Sequence, residues 1–379
     1  MKNTIITFFL LITNCPIVKS QKTFSINISY PENIDTNDFS FICDNGKDGY
    51  LKISPNVQSK KNKIILSNTF YSKFATIIIT YSNKSEKYFI TKSIWASDVP
   101  VFISFKRKVE DLNYLEIDRI ENATELDKHI EESKLNQYVS LENIDLDNFY
   151  ENHVNWAKSD SLTIIRKVKL QKLLNKRLDF IKTNNMSYYS FWYFKTKIIP
   201  KPEYSVDTLV KLFQNLFSDS LKTSYEGQQV WTFLKGKQLK KNLPSIDFKA
   251  FDIEKNELSL SNYRGKFVLL YFWASWCKPC IEEIEKLKEI RNKYSEDKME
   301  IVSITKDDNY TLFTNTIKKY ALNWKHIFGN SEIIKLYGVS GIPVLYLIDT
   351  NGVIIYSREE EKDFTSELPI LEAILKEKF

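Results

Sequence analysis

The stretch FWASWCKPCIEEIEKLKEI, from Phe272 to Ile290, places two cysteines, Cys277 and Cys280, two residues apart. A pair so spaced serves as a structural staple, as half of a metal clip or as a redox couple, and its flanks separate these uses. Before it, Phe267 to Trp273 is a continuous apolar run, the pattern of a strand buried on both faces of a central sheet. After it, Ile281, Ile284 and Leu287 recur at helical spacing. The cysteines therefore sit at a strand-to-helix junction.

A tetrahedral zinc site needs four ligands. The chain has no second CxxC, and its three histidines, His129, His153 and His326, are scattered, so no metal is expected. As a staple the pair would close too short a loop to restrain much of the unfolded chain. The redox reading accounts for the neighbours. A helix that starts at Cys277 aims its free backbone N–H groups and positive dipole end at that sulfur and favours the thiolate. Lys278 adds a positive charge next door, and Pro279 fits a first helical turn that has no N–H partner to lose. Cys280, one turn further in, is placed to attack a mixed disulfide once Cys277 has formed one. No cofactor beyond the Cys277–Cys280 dithiol/disulfide is called for.

Outward from this site, residues 243–379 alternate between strand and helix. A second buried strand spans Ile301 to Thr305, helical stretches follow near Leu312 to Tyr320 and Ser331 to Tyr337, and Pro343 opens Val344 to Ile348. Asn351-Gly352 then turns the chain into Val353 to Tyr356, a hairpin signal, and Leu368, Leu371 and Leu375 mark a terminal helix. This is an α/β domain with a mixed central sheet flanked by helices. Residues 119–237 read as helical: Leu170, Leu174, Leu178 and Ile181 share one face, and Ser205 is the N-cap of a helix carrying Val206, Leu209, Val210 and Phe213. The aromatic run Tyr188 to Phe194 is expected to fill a core rather than to form a ligand platform. Residues 21–118 are β-rich and sandwich-like, with Phe24, Ile26, Ile28 and Tyr30 alternating, as do Val101, Ile103 and Phe105.

At 379 residues the chain is too long for one ordinary core. Its net charge of +6 is spread over a Lys-rich sequence without a basic block, so no nucleic-acid partner is implied. Residues 1–20 have the form of a signal peptide: Lys2, an apolar run from Ile5 to Ile12, and small residues before a cleavage point after Ser20. Export to a periplasm or cell envelope is the expectation, with lipid attachment at Cys15 as the alternative. Cleavage would leave Cys43, Cys277 and Cys280, one close pair and one leftover, which is no disulfide framework. Cys43 is expected to be a small buried hydrophobe.

The run Trp273-Ala274-Ser275-Trp276-Cys277-Lys278-Pro279-Cys280 resembles the active-site motif of the thioredoxin superfamily, and Gly341-Ile342-Pro343 resembles its cis-proline loop. Leu258 to Lys266 and Glu283 narrow the likeness to the TlpA/ResA group of exported thiol-disulfide oxidoreductases, relatives of the AhpC/TSA proteins. The likeness covers residues 243–379. The front half resembles, in layout alone, the N-terminal extension of many exported members. The resemblance implies that Pro343 is cis, that the backbone of Ile342 pairs with a substrate strand, and that Trp276, Lys278 and Pro279 flank the bound substrate. Two departures stand out. Thioredoxin has a buried Asp where this chain has Tyr271, and the resemblance moves proton transfer to Glu283, for which an ordinary first-turn helix acid is the competing reading. Peroxidatic relatives require Pro and Thr where Leu270 and Ala274 stand, which disfavours peroxidase activity.

The expected function is disulfide exchange with envelope proteins, Cys277 as nucleophile and Cys280 as resolving thiol. The implied partners are protein thiols or disulfides, apocytochrome among them, and a membrane thiol-disulfide electron carrier. The competing expectation is an envelope binding protein whose front half recognises a protein or glycan. The two combine if the front half chooses which disulfides reach Cys277.

Overall fold

The computed structural model describes residues 21–32, 34–47, 50–58, 62–83, 88–107, 115–121, 123–358 and 367–379. The signal-peptide reading of residues 1–20, with Cys15, lies outside them. Among the described residues no helix is long and apolar enough to cross a membrane.

Among the described residues nine strands come first: β1 (Lys22–Ser29), β2 (Phe39–Asp44), β3 (Tyr50–Lys52), β4 (Asn56–Gln58), β5 (Lys63–Phe70), β6 (Ala75–Asn83), β7 (Tyr88–Ala96), β8 (Val101–Arg107) and β9 (Leu115–Glu121). They form a five-stranded sheet in the order β4-β5-β1-β8-β9 and a four-stranded sheet in the order β3-β2-β6-β7. The period-two pattern works as expected: Phe24, Ile26, Ile28, Val101, Ile103 and Phe105 all point inward. Across the sandwich Phe39 meets Phe105 edge-on at 5.4 Å. Cys43 is fully buried in this core. The last strand runs to Glu121, past the expected limit at 118.

Seven helices follow: α1 (Ala123–Tyr138), α2 (Ser140–Asn152), α3 (Asp160–Thr183), α4 (Tyr188–Tyr193), α5 (Val206–Leu216), α6 (Asp219–Thr223) and α7 (Tyr225–Gly236). Ser205 caps α5 by accepting from the Thr208 N–H at 3.2 Å. The aromatic run is core: every side chain from Tyr188 to Phe194 is buried. The core also takes in Trp95 from the outer face of β7, which packs edge-on against Tyr188 at 5.3 Å and Trp192 at 5.6 Å. The helices thus cover one face of the sandwich. Deeper in, Lys195 bridges the two units, its ammonium 2.7 Å from Glu226 and 3.4 Å from Asp44. Burial alone would lower the Lys195 pKa; the Glu226 and Asp44 charges outweigh that and leave it above the ordinary lysine value. Lys195 lies in a π-helical turn, Phe194–Ile198, that continues α4 and delivers the chain to Ile199 and Pro200.

The C-terminal part holds β10 (Lys249–Phe251), β11 (Glu257–Ser259), β12 (Phe267–Trp273), α8 (Lys278–Lys293), β13 (Met299–Thr305), α9 (Tyr310–Tyr320), β14 (Lys325–Ile327), α10 (Ser331–Leu336), β15 (Val344–Ile348), β16 (Ile354–Ser357) and α11 (Glu367–Lys378). The main sheet has the order β14-β13-β12-β15-β16. Central β12 runs parallel to β13 and antiparallel to β15. Leu269, Tyr271 and Trp273 enter the core under α8, while Val268, Leu270 and Phe272 enter the one on the other side. Burial on both faces is why β12 reads as an unbroken apolar run. The domain is thioredoxin-like.

The helical unit docks on this domain backbone to backbone. A Cβ on Gly236, at the end of α7, would lie 2.3 Å from the Gly338 nitrogen just after α10. Only glycine allows so close an approach. Lys335 on α10 donates to the Gln229 side chain at 2.9 Å and to the backbone carbonyl of Lys47, joining all three parts of the chain.

Candidate active site

Cys277 is the N-cap of α8, and its sulfur accepts from the Cys280 N–H at 3.3 Å. The two cysteines are disulfide-bonded, with their Cα atoms 5.2 Å apart. Pro279 occupies the first turn. A helix of sixteen residues ends its dipole on Cys277, so the thiolate that forms on reduction is stabilised by the exposed N–H groups of that first turn. Cys277 is 5% exposed and Cys280 is fully buried. The first sulfur is the one within reach of an incoming group.

The loop before Cys277 is held by a residue the sequence reading missed. Asp307 is buried and accepts from the Ser275 N–H at 2.9 Å, from the Ser275 hydroxyl at 2.7 Å and from the Thr305 hydroxyl at 2.6 Å. Its signal in the sequence is slight: an acid two residues past a buried strand, in a loop whose partner lies 32 residues upstream.

Tyr271 occupies the place of thioredoxin's buried acid, and its hydroxyl donates to the Cys280 carbonyl at 2.9 Å. Burial, and then the Glu283 charge, push the Tyr271 hydroxyl well above the ordinary tyrosine pKa. It stays neutral and holds the first turn of α8 instead of carrying protons. Glu283, three residues after Cys280, is held in a bidentate ion pair by Arg358 at the end of β16, with contacts of 3.0 and 2.5 Å. Arg358 was not foreseen, because 75 residues separate the partners and no local pattern links them.

The remaining expected site residues divide between cleft and surface. The Ile342–Pro343 peptide is cis. Among the described residues no hydrogen bond engages the backbone of Ile342. Pro279, Ile342, Pro343 and Glu283 line one side of a cleft of about 690 Å³. The cis-proline loop is tied back by Lys306, which donates to the Ser340 carbonyl at 3.3 Å and from its backbone to Trp273 at 2.8 Å. Trp276 is 63% exposed beside Cys277. The Lys278 side chain is 88% exposed and lies 3.8 Å from Glu282. Among the described residues no cluster of His, Cys, Asp or Glu is arranged to hold a metal ion. Cys43 is remote from the pair, and burial, with Asp44 adding, pushes its thiol up to about 12.

Residues 241–357 match the AhpC/TSA family. Over 141 residues the chain is 33% identical to the thiol-disulfide oxidoreductase ResA of Bacillus thuringiensis subsp. konkukian (strain 97-27), an alignment covering 37% of this chain and 79% of that protein. The ResA of Bacillus cereus (strain ATCC 10987 / NRS 248) is likewise 33% identical over 141 residues, covering 37% of this chain and 79% of the relative. Among solved structures, a thiol-disulfide oxidoreductase from Bacteroides fragilis NCTC 9343 is 27% identical with a TM-score of 0.30, covering 34% of this chain and 98% of that one.

Proposed function

The chain belongs, through its C-terminal domain, to the ResA family of thiol-disulfide oxidoreductases, and from that premise we propose that it is an exported enzyme that exchanges disulfides with envelope proteins through Cys277 and Cys280. The observation that carries the residue assignment is the placement of Cys277: N-cap of α8, the less buried of the two sulfurs, bonded to Cys280 beside the cis-proline loop.

In the reducing direction the Cys277 thiolate attacks one sulfur of a substrate disulfide. That S–S bond breaks, the far substrate sulfur leaves as a thiolate and takes up a proton, and Cys277 is left in a mixed disulfide. Cys280 then loses its proton and attacks the Cys277 sulfur, releasing the second substrate thiol. The substrate gains two electrons and two protons, and the Cys277–Cys280 disulfide of the structure is the product. A membrane thiol-disulfide carrier returns the two electrons. Glu283, whose charge acts on the Tyr271 hydroxyl that holds the Cys280 carbonyl, receives and hands on the Cys280 proton, and Arg358 fixes the carboxylate for that exchange. Neutral Tyr271 leaves that role open.

Equilibration of the purified chain in thiol–disulfide buffers of stepped potential tests the reading. The expected result is one two-electron transition, assigned by mass to Cys277 and Cys280. A pair that stays locked as dithiol or disulfide across the whole range overturns it. Export is tested by fractionating expressing cells; recovery in the cytosol alone contradicts that part.

A further inference from the structure

The cleft beside the cysteine turn is lined by Pro279 of that turn and by neither cysteine, and its far wall does not belong to the thioredoxin-like domain. Facing Pro279 and the cis-proline loop are Ile199, Pro200, Lys201, Pro202 and Val206, supplied by the helical unit after its π turn. Pro200, Lys201 and Pro202 are exposed. The Gly236–Gly338 contact and the Lys335 bridges hold this wall against the catalytic domain. The cleft measures about 690 Å³. A second cavity of about 270 Å³ lies behind it, with Val230, Phe233 and Val339 among its apolar lining. Ile199, Pro200 and Ser340 line both cavities, so the two adjoin and run from the cis proline toward the Asp44–Lys47 turn of the sandwich. Two adjoining cavities, the larger bordered by the cis-proline loop, suit an extended segment better than a single side chain.

The charge along the two cavities is uneven. In the first cavity Lys201, Lys237 and Arg358 face one carboxylate, Glu283, which Arg358 already holds. In the second, Lys47, Lys195 and Lys335 face Asp44 and Glu226. Both sections carry more cationic than anionic side chains around an apolar lining. The backbone of Ile342 borders the larger cavity, open to the strand-like pairing that an extended segment offers.

We propose that the helical unit is the specificity wall of the enzyme, admitting protein disulfides presented on an extended segment that is apolar at the cysteine and acidic beside it. The proposal rests on the oxidoreductase reading above and adds the class of substrate. Charge complementarity decides for an acidic partner.

The test uses the full chain with excess dithiothreitol as reductant and three substrates: a small aromatic disulfide, and two peptide disulfides with the same apolar core and either glutamate or lysine flanks. The ratio of kcat/KM for the acidic over the basic peptide is measured for wild type, Lys201→Glu and Pro202→Glu. Wild type is expected to favour the acidic peptide by about threefold or more, and each variant to cut that ratio by about threefold, the factor of an exposed ion pair. The preference is expected to shrink as salt rises. Equal rates on the two peptides, a ratio that neither variant moves, or an equal loss on all three substrates overturns the proposal. Wild type that reduces even the small disulfide no faster than dithiothreitol alone overturns the oxidoreductase reading itself, and this inference with it. Turnover of the small disulfide without discrimination between peptides removes only the inference.

Discussion

Two buried cysteines in this chain meet opposite surroundings. Cys43 lies on β2 in the middle of a sandwich core, where burial and the neighbouring Asp44 charge suppress its thiolate. Cys277 is almost as well covered, yet it caps a sixteen-residue helix whose unpaired N–H groups point at its sulfur. If Cys277 is the nucleophile proposed above, burial alone does not decide whether a thiol is inert. What decides it is whether the burying groups are apolar side chains and like charges, or oriented dipoles at a surface cleft.

The sharpest way to break this contrast is substitution of each sulfur. Cys277→Ser is expected to bring disulfide reduction down to the uncatalysed rate. Cys43→Ala is expected to leave turnover unchanged and to cost about 1 to 2 kcal/mol of stability through the small cavity it opens. A Cys277→Ser protein that still turns over, or a Cys43→Ala protein that does not, would reverse the assignment. Glu283→Gln, which removes the proton acceptor but keeps the side-chain volume, is expected to slow the resolving step by about a hundredfold and to flatten the pH dependence of single-turnover rates. An unaltered pH profile would leave Glu283 as an ordinary acid in the first turns of α8.

Smaller effects sharpen the comparison. Asp44, the charge that helps silence Cys43, is itself held by Lys195. Lys195→Met leaves Glu226 and Asp44 without their cation and is expected to cost about 3 to 5 kcal/mol in chemical denaturation. An unchanged midpoint would mean that the sandwich and the helices do not depend on this bridge. His326 shows the burial effect inside the catalytic domain: desolvation lowers its pKa to about 4 from the ordinary 6.5. The unfolded chain then binds a proton before the folded one does, so this histidine's contribution to stability is intact above about pH 6.5 and falls progressively as pH drops toward 4. About 2 kcal/mol is expected to be lost by pH 5, and His326→Gln should remove that part of the slope. A slope identical in the variant would contradict it.

How much was legible in the sequence follows the same division. The catalytic domain was readable because its signals are local: the unbroken apolar run of β12, Cys277 at a helix start, and Gly-Ile-Pro at the head of a strand. The sandwich and the aromatic helical core were readable from periodicity, since alternation and helical spacing mark buried faces wherever they occur. The contacts that complete the site were not. Arg358 reaches Glu283 across 75 residues, Asp307 reaches Ser275 across 32, and the far wall of the cleft comes from a unit that is docked on the catalytic domain by the Gly236–Gly338 contact and the Lys335 bridges, which no local pattern announces. Nor does adjacency in sequence give direction: the Lys278 side chain is exposed and lies 3.8 Å from Glu282.

The central claim is that Cys277 carries the substrate and Cys280 resolves it. Its most direct test is a Cys280→Ser chain, reduced, mixed with a peptide disulfide and mapped by mass spectrometry after acid quench. The account predicts one stable peptide adduct, on Cys277, and none on Cys43. An adduct on Cys43, or no adduct at all, would contradict it.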